Sequence, residues 1–358
     1  MGRLLRVASI VSFLSCVLVL SGWTIGKIVS DRWVWSQYLS WLPSVLVVPL
    51  AALLWLQGLA SLKLSGRRVR GDRVLRVGVE VWVLLAAAYW GLVECRVYRI
   101  SNPARPTGPH LRVLNWNVSA ILKMEQITVP VLAQRPDVAI LVNPNSYAGW
   151  SQAPAAFGPE YHYTNVGGIV VLTRVPLLRC GLAWLGMEGL APETEGADKR
   201  KARADPGRAM FIELDTTAQV GRTSIVWVID LPSEPDLSRK QLVSRTAEKI
   251  RTWSGREMGP GAVEPTRGFP AADLIMGDFN IPRGSASLSL IAPGMQNAFD
   301  EAGTGYGATW PRHGYRTPIP LLQIDQTFVG ARLRTARYEV VEPGFGYHRM
   351  QVGDYVAR

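Results

Sequence analysis

The pattern of hydrophobic residues changes near residue 100. Before that point they form long runs without charge, and after residue 110 they form short runs separated by polar turns. Residues 7–26 carry no charged side chain and are bracketed by Arg6 and Lys27, and about 20 apolar residues suffice for a membrane-spanning helix. The run is long for the core of a signal peptide, and no convincing small-residue cleavage site follows it, which favours a membrane span.

Two more segments have the character of membrane spans. Residues 33–62 are free of charge, and within them we predict a span over residues 38–62; Pro43 and Pro49 are tolerable inside a membrane helix. The third predicted span, residues 77–93, is apolar apart from Glu80. Because Glu80 lies near one end of this segment, we interpret it as an interfacial residue rather than a functional charge inside the bilayer.

The loop charges predict an orientation. Basic residues are concentrated between the second and third predicted spans, with Asp72 as the single acidic residue among them: Lys63, Arg67, Arg68, Arg70, Arg73 and Arg76. The positive-inside rule then places this loop and the N-terminus in the cytoplasm. Three spans would leave the remainder of the chain extracytoplasmic, whereas two spans would leave it cytoplasmic.

The chain after the anchor has the pattern of an α/β domain. A proline-rich linker, residues 101–110, separates the membrane anchor, residues 1–100, from a domain over residues 111–358. Short apolar runs predict strands at 111–118, 137–142, 167–173, 210–214, 224–231 and 273–278, and helical spacing predicts helices at 124–134 and 237–253. Residues 186–207 are charged and glycine-rich, as in a surface loop. Polar residues gather where strands end, which predicts a site along one sheet edge.

Composition narrows the function only slightly. The 358-residue chain has a formal net charge of +11, which favours anionic membranes or phosphorylated substrates. Part of that charge has a topological explanation, so it is no argument by itself for nucleic-acid binding. The three cysteines, Cys16, Cys95 and Cys180, are scattered and lack the spacing of a zinc site or a disulfide framework.

The sequence over residues 273–280 carries the strongest chemical signal. An apolar run over residues 274–276 ends at Gly277 and is followed by Asp278 and Asn280, which project to the same side of an extended chain. Asp278 can activate a water molecule, and Asn280 can hold a phosphate oxygen without adding negative charge. The simpler alternative is that both residues only cap a turn.

Seven short motifs in a fixed order extend this signal. They are Val113-Leu-Asn-Trp-Asn-Val118, Pro136-Asp-Val-Ala-Ile-Leu141, Gly168-Ile-Val-Val-Leu-Thr-Arg174, Gly277-Asp-Phe-Asn280, Thr309-Trp310, Ile324-Asp325 and His348. In this order the chain from residue 111 to the C-terminus resembles the endonuclease/exonuclease/phosphatase superfamily. The resemblance implies a four-layer α/β sandwich, in which two mixed sheets pack face to face. It also implies hydrolysis of phosphate esters with a divalent cation, Mg²⁺ or Mn²⁺.

The resemblance assigns roles to individual residues. Asp278 matches the aspartate that activates the attacking water, and Asn280 matches its phosphate-holding neighbour. His348 matches the C-terminal histidine, and Asp325 matches the aspartate that orients it. Asn117 matches the asparagine of the first strand, which contributes to the metal and phosphate site. Such an Asp–His pair fixes the tautomer and favours an imidazolium beside a developing phosphorane charge.

Three positions depart from the family pattern. Asn143 stands where the family has a metal-binding glutamate, Asp230 where it has a histidine, and Tyr347 where it often has a second metal-binding aspartate. Replacing two carboxylates by an amide and a phenol weakens a site for a hard cation such as Mg²⁺. Asp230 adds a carboxylate that partly compensates. The expected metal ligands are therefore Asp230, Asp278 and Asn117, and Asn143 is expected to contact substrate with Asn117 and Asn280.

Two hypotheses for function follow. The first is a membrane-anchored, metal-dependent phosphodiester hydrolase with a remodelled metal site, acting on a lipid headgroup, another phosphodiester or nucleic acid. The second is a catalytically inactive binding or scaffolding module that has kept the fold. A metal-dependent turnover that is lost in Asp278→Ala would separate them.

Overall fold

The computed structural model describes residues 1–66, 72–101, 106–144, 149–187, 205–264, 267–311 and 319–358. These residues form two compact units, Met1–Tyr98 and Arg99–Arg358. Much of the predicted surface loop over residues 186–207 and part of the linker over residues 101–110 lie outside the described residues.

The first unit is built from apolar helices. They are α1 (Gly2–Val29), α2 (Val34–Ser40), α3 (Ser44–Leu64) and α4 (Asp72–Ala88), and a π-helical turn (Tyr89–Glu94) continues α4. Three segments of the described chain are long and apolar enough to cross a membrane: Gly2–Val29, Ser44–Leu64 and Arg73–Glu94. Their buried side chains, including Leu20, Ala51 and Val83, form one apolar cluster. This character indicates association with a membrane.

The second predicted span needs a correction. The sequence predicts one continuous segment over residues 38–62, whereas the structure ends α2 at Ser40 and begins α3 at Ser44. Pro43 is the N-cap residue of α3 with an extended backbone. The residue before a proline is biased away from the helical region, which explains the break. Pro49 is accommodated inside α3.

The second unit contains two mixed sheets. Its strands are β1 (Leu111–Asn117), β2 (Val138–Val142), β3 (His162–Val166), β4 (Ile169–Thr173), β5 (Leu177–Trp184), β6 (Arg208–Leu214), β7 (Ser224–Asp230), β8 (Leu274–Asp278), β9 (Gln296–Asn297), β10 (Asp325–Val329), β11 (Leu333–Val341) and β12 (Met350–Ala357). Among the described residues the first sheet has the strand order β11-β12-β1-β2-β4-β3 and the second β5-β6-β7-β8-β10-β9.

Helices cover the outer faces of both sheets. They are α5 (Met124–Gln134), α6 (Ala153–Phe157) and α8 (Arg239–Arg251). Two shorter helices, α7 (Thr217–Val220) and α9 (Ala298–Ala302), contribute Val220 and Phe299 to the core between the sheets. Ile127 of α5 and Phe157 of α6 pack on the outer face of the first sheet, and Leu242 of α8 packs on that of the second. Val113 and Met276 belong to the core between the sheets. The result is the four-layer α/β sandwich that the sequence predicts.

Strand periodicity places the polar residues between the sheets. Side chains alternate across a strand, so Asn117 of β1 shares the inner face with Val113, and Asp278 of β8 shares it with Met276. In β7, Asp230 likewise shares the inner face with Val228. The inner faces of β7 and β8 are therefore apolar in the middle and polar where the strands end, whereas β1 also carries the buried Asn115 on this face, hydrogen-bonded to Gln351.

Candidate active site

A row of charged side chains crosses one edge of the second sheet. The register pairs Asp278 of β8 with Asp230 of β7 on one side and with Asp325 of β10 on the other. On β6, Arg208 is the register partner of Asp230. Neighbouring strands lie about 4.8 Å apart, so the sheet itself brings together three carboxylates and a guanidinium that are distant in sequence.

Gly277 allows the strands that carry this row to approach closely. Its φ of 138° favours glycine, and a Cβ at this position would lie 1.9 Å from the carbonyl oxygen of Ile229 on β7. Any other residue would push β8 away from β7. The glycine that precedes Asp278 thus has a steric role in placing Asp278 beside Asp230.

Asp278 is fixed by hydrogen bonds from both sheets. The side-chain amide of Asn117 donates to its Oδ2 at 2.7 Å, and the backbone N–H of Asn280 donates to its Oδ1 at 2.9 Å. Asn280 adopts a left-handed conformation (φ 51°), and its own amide donates to the carbonyl of Leu231 at 2.7 Å. The side-chain oxygen of Asn117 accepts from the backbone N–H of Ser119 at 2.8 Å. Both asparagines therefore position Asp278.

His348 lies between Asp325 and Asp278. Its Nδ1 is 2.9 Å from Asp325 Oδ2, which is a hydrogen bond, and its Nε2 is 3.8 Å from Asp278 Oδ2, which is too long for one. All three side chains are at least nine-tenths buried. Trp116 donates to the backbone carbonyl of His348 at 3.1 Å. We call Asp278, Asp325 and His348 the Asp–His group.

Arg208 organises the other half of the row. Its Nε and Nη2 donate to Asp230 Oδ2 at 2.9 and 2.7 Å, and its Nη1 donates to the carbonyl of Gly167 at 2.8 Å. Nη2 also donates to the side-chain oxygen of Asn143, whose amide donates to Asp230 Oδ1 at 3.3 Å. A Cβ on Gly168 would lie 2.4 Å from Nη1, so glycine leaves room for the guanidinium. We call Arg208, Asp230 and Asn143 the arginine group.

Burial and the neighbouring charges shift the pKa values of these groups. Burial raises the pKa of Asp278 to about 8, and the charge of Asp325 acts in the same direction. Burial lowers the pKa of His348, but the carboxylates of Asp325 and Asp278 outweigh it and raise that pKa to about 9. Burial also raises the pKa of Asp230 to about 6, against the opposing charge of Arg208. His348 is therefore an imidazolium at neutral pH, whereas Asp278 is largely protonated there and becomes a proton acceptor, stronger than an ordinary carboxylate, as the pH rises towards 8.

The Asp–His group has the donor atoms that a metal ion needs. One potential ligand atom from each of its three residues lies within 4.8 Å of the others, and while His348 is an imidazolium the carboxylates of Asp278 and Asp325 are the available ligands. Asp325 Oδ1 is buried and has no hydrogen-bond partner in the described part of the chain, and an orphan buried carboxylate oxygen fits a hard cation. In the arginine group the arrangement differs, since the carboxylate of Asp230 is already paired with the cationic guanidinium of Arg208, which the oxygen of Asn143 also contacts. A cation fits the first group and not the second.

All the residues that the sequence predicts for the site lie at this one end of the two sheets. Asn117 and Asp278 are in direct contact, as are Asp325 and His348, and Asn143 and Asp230. The structure does not bring an unpaired oxygen of Asp230 or Asn117 towards a shared cation position, because both residues are engaged in hydrogen bonds.

Arg208 is the site residue that the sequence analysis misses. The predicted strand begins at residue 210, so Arg208 falls between that strand and the predicted surface loop. The available signal is an arginine at the start of one strand and Asp230 at the end of the next. In an antiparallel pair these two positions face each other.

Comparison with known proteins identifies the family. The profile of the Endonuclease/Exonuclease/phosphatase family matches residues 114–348. A search of curated protein sequences finds no match. Since the profile covers more than half of the chain, the protein belongs to the endonuclease/exonuclease/phosphatase family.

Several solved structures are similar to this chain over about 70% of its length. A mannosyl-6-phosphatase from Bacteroides thetaiotaomicron is 14% identical, with 69% of this chain and 99% of that chain covered and a TM-score of 0.49. A family protein from Bacteroides vulgatus is 16% identical, with 70% and 100% covered and a TM-score of 0.49. D. rerio TDP2 complexed with a single-strand DNA product is 12% identical, with 69% and 98% covered and a TM-score of 0.44.

Proposed function

We propose that the protein is a membrane-anchored phosphodiester hydrolase with a remodelled metal site, in which the Asp–His group performs the chemistry. The observation that carries this proposal is the placement of His348, hydrogen-bonded to Asp325 at 2.9 Å and 3.8 Å from Asp278. A phosphoryl oxygen or a water molecule bridging these groups would meet a cationic donor and a proton acceptor at once.

Each residue of the Asp–His group has a distinct role in this proposal. Asp278 takes a proton from the attacking water, for which a raised pKa makes it better suited than an ordinary carboxylate. The imidazolium of His348 donates a hydrogen bond to the non-bridging oxygens of the phosphate as negative charge develops on them. Asp325 holds Nδ1 and keeps the ring charged. Asn117 and Asn280 hold Asp278 in place.

A divalent cation suits this site. The family is generally dependent on divalent metals, and we propose Mg²⁺ or Mn²⁺ held by Asp278 and the unpaired Oδ1 of Asp325. Such an ion supplies Lewis acidity and neutralises phosphate charge. Asp230 then acts indirectly, by fixing Arg208 as a second positive charge beside the phosphate.

The substrate class follows from the anchor. We propose three membrane passes, with the catalytic domain on the extracytoplasmic side, as the distribution of basic loop residues predicts. A tethered domain meets phosphodiesters of lipid headgroups more often than chromosomal DNA. A lipid headgroup or another phosphodiester outside the cytoplasm is therefore the preferred substrate. A reporter fused to the C-terminus, either a phosphatase or a fluorescent protein, would test the topology.

The arginine group favours a second candidate function. Asn143 stands where the family has a metal-binding glutamate, and its oxygen accepts from Arg208. A site with a fixed guanidinium in this place is suited to hold a phosphate group without cleaving it. The alternative is therefore a binding module that recognises phosphate esters and lacks turnover.

The decisive experiment measures hydrolysis of bis-p-nitrophenyl phosphate by the full chain in detergent, with Mg²⁺, Mn²⁺ or EDTA. We expect metal-dependent turnover that Asp278→Asn reduces by about 10²- to 10⁴-fold. Asp215→Asn makes the same chemical change beyond the opposite end of the same sheet, after β6, and is expected to leave turnover unchanged. Absence of turnover on several diesters, with retained binding of phosphate, would establish the binding module instead.

A further inference from the structure

A second polar cleft lies at the end of the sandwich opposite the active site. It has a volume of about 450 Å³ and is lined by polar side chains of the first sheet and its loops together with α7: His110, Arg112, Arg135, Asp137, Arg174 and Gln219. Strand β1 begins beside this cleft at Leu111 and ends at the active site with Asn117. Seven extended residues span roughly 20 Å, so the two sites are separate.

Two of the arginines in this cleft are held in place by carboxylates. Arg112 makes a bidentate pair with Asp354 (Nε–Oδ1 2.6 Å and Nη2–Oδ2 2.9 Å). Arg174 Nη2 donates to Asp137 Oδ1 at 2.8 Å and to the backbone carbonyl of Arg135 at 3.1 Å. The side chains of Arg112 and Arg174 keep 25% and 33% of their surface exposed. Each guanidinium has five N–H donors, so both retain donors for a ligand.

The third arginine brings the cleft an excess of positive charge. Arg135 ends α5 in a left-handed conformation (φ 48°), and its side chain is exposed and makes no hydrogen bond to any other described residue. The described lining of the cleft thus holds three guanidinium groups and one carboxylate, Asp137. Asp354 lies beside the cleft, and the more distant Glu339 is paired with Arg337. Positive charge concentrated in a concave surface attracts anions more strongly than the same charge on a flat one.

The side-chain oxygen of Gln219 is a hydrogen-bond acceptor to which no described residue donates. This atom, Oε1, is shielded from solvent and has no hydrogen-bond partner within the described part of the chain. A buried amide oxygen without a donor costs free energy, and because Gln219 lines the cleft, a rotation of its side chain would let this oxygen accept from a hydroxyl group of a bound molecule. The cleft thus offers donors for an anion and an acceptor for a hydroxyl. Its volume lies in the range of about 300–1,000 Å³ that small-molecule sites occupy.

We propose that this cleft binds a phosphate ester that carries hydroxyl groups, with the chemistry of glycerol phosphate. Arg112, Arg135 and Arg174 receive the phosphate, and Gln219 receives a hydroxyl. The same chemistry occurs in a soluble glycerol phosphate and in the headgroup of an anionic lipid. The site is independent of the function proposed for the Asp–His group.

The test uses the full chain in nanodiscs of zwitterionic lipid, with His348→Ala present to weaken phosphate binding at the active site. Calorimetry measures binding of glycerol 3-phosphate and of inorganic phosphate. We expect Arg135→Glu to weaken both by about tenfold or more, which is the loss of one charge-assisted hydrogen bond. Gln219→Leu is expected to weaken glycerol 3-phosphate and to leave inorganic phosphate unchanged. The matched control is Lys249→Glu, the same change of charge on an exposed residue of α8.

A second arm identifies a lipid source. Nanodiscs with phosphatidylglycerol replace the zwitterionic ones, and hydrogen exchange is measured over the segments around Arg112, Arg135 and Arg174. Protection that requires phosphatidylglycerol and disappears in Arg135→Glu, without binding of the soluble ester, assigns the site to a lipid headgroup. Binding of the soluble ester alone assigns it to a free metabolite. The proposal is overturned if neither ligand depends on Arg135, or if Lys249→Glu weakens binding as much as Arg135→Glu does.

Discussion

The Asp–His group and the arginine group occupy the same edge of the same sheet and differ in how their hydrogen bonds are used. In both groups a buried carboxylate lies beside a cation. Arg208 is permanently charged and uses its donors on Asp230, Asn143 and a backbone carbonyl. His348 is titratable and leaves Nε2 3.8 Å from the nearest carboxylate oxygen. Reactivity requires atoms whose hydrogen bonds are not already made, so we place the chemistry in the Asp–His group.

The largest expected effect is a loss of catalytic activity when the Asp–His group is changed. We expect His348→Ala to lower kcat by about 10²- to 10⁴-fold, because it removes the cationic donor beside the phosphate. Asp325→Asn combined with His348→Ala should cost little more than His348→Ala alone, since the two residues act as a unit. The measurement is steady-state hydrolysis of the same diester. His162→Ala changes an exposed histidine of β3 and is expected to keep full activity; an equal loss there would contradict the assignment.

The second-largest expected effect is a loss of folding stability when the arginine group is disrupted. Arg208→Ala leaves the carboxylate of Asp230 buried without its counter-ion, and breaking a buried pair in this way costs about 3–5 kcal/mol. We expect a lower unfolding temperature in detergent and partial recovery in Arg208→Ala combined with Asp230→Asn. Arg256→Ala, which breaks an exposed pair with Glu264, should have no measurable effect. A double variant as unstable as Arg208→Ala would show that Arg208 stabilises the domain in another way.

The sequence predicts those features that depend on local pattern. Short apolar runs and their order predict an α/β domain, the resemblance to the family implies the four-layer sandwich, and the predicted helix over residues 124–134 coincides with α5 (Met124–Gln134). The resemblance to the family assigns Asp325 and His348, whereas the position of Asp278 follows from a local pattern at a strand end. Asp278 illustrates this: the apolar run before it, the glycine and the asparagine after it are all local signals.

The features that the sequence leaves unpredicted depend on contacts between distant elements. Arg208 contacts Asp230 only because β6 and β7 are antiparallel neighbours in this register. The break between α2 and α3 occurs within an unbroken apolar stretch, where hydropathy alone gives no boundary. Asn143 and Asp230 were assigned by resemblance to contact substrate and metal. In the structure, however, the side-chain oxygens of Asn143 and Asp230 already accept hydrogen bonds from Arg208. This depends on the three side chains meeting in space, which the sequence does not show.

The smallest expected effect is on the pH dependence of activity. It compares Asp325 and Asp230, the carboxylates on either side of Asp278. Activity requires Asp278 unprotonated and His348 protonated, so a plot of activity against pH should be bell-shaped. Its acid limb reports the deprotonation of Asp278, and its alkaline limb reports the deprotonation of His348. The raised pKa of His348 also stabilises the fold below its unfolded value near 6.5, and this contribution is lost as the pH rises through about 9. The negative charge of Asp325 raises the pKa of both Asp278 and His348.

Removing that charge should therefore move both limbs in the same direction. We expect Asp325→Asn to shift the whole bell to lower pH by about one unit or more. Asp230→Asn should shift it less, because the charge of Asp230 acts more weakly than that of Asp325 on both Asp278 and His348. The profile is measured relative to the maximum of each variant, and the imidazole of His348, one of four histidines in the chain, is titrated by NMR with selective labelling. Equal shifts in the two variants would mean that Asp230 acts on Asp278 and His348 as strongly as Asp325 does, and the separation of the arginine group from the Asp–His group would fail.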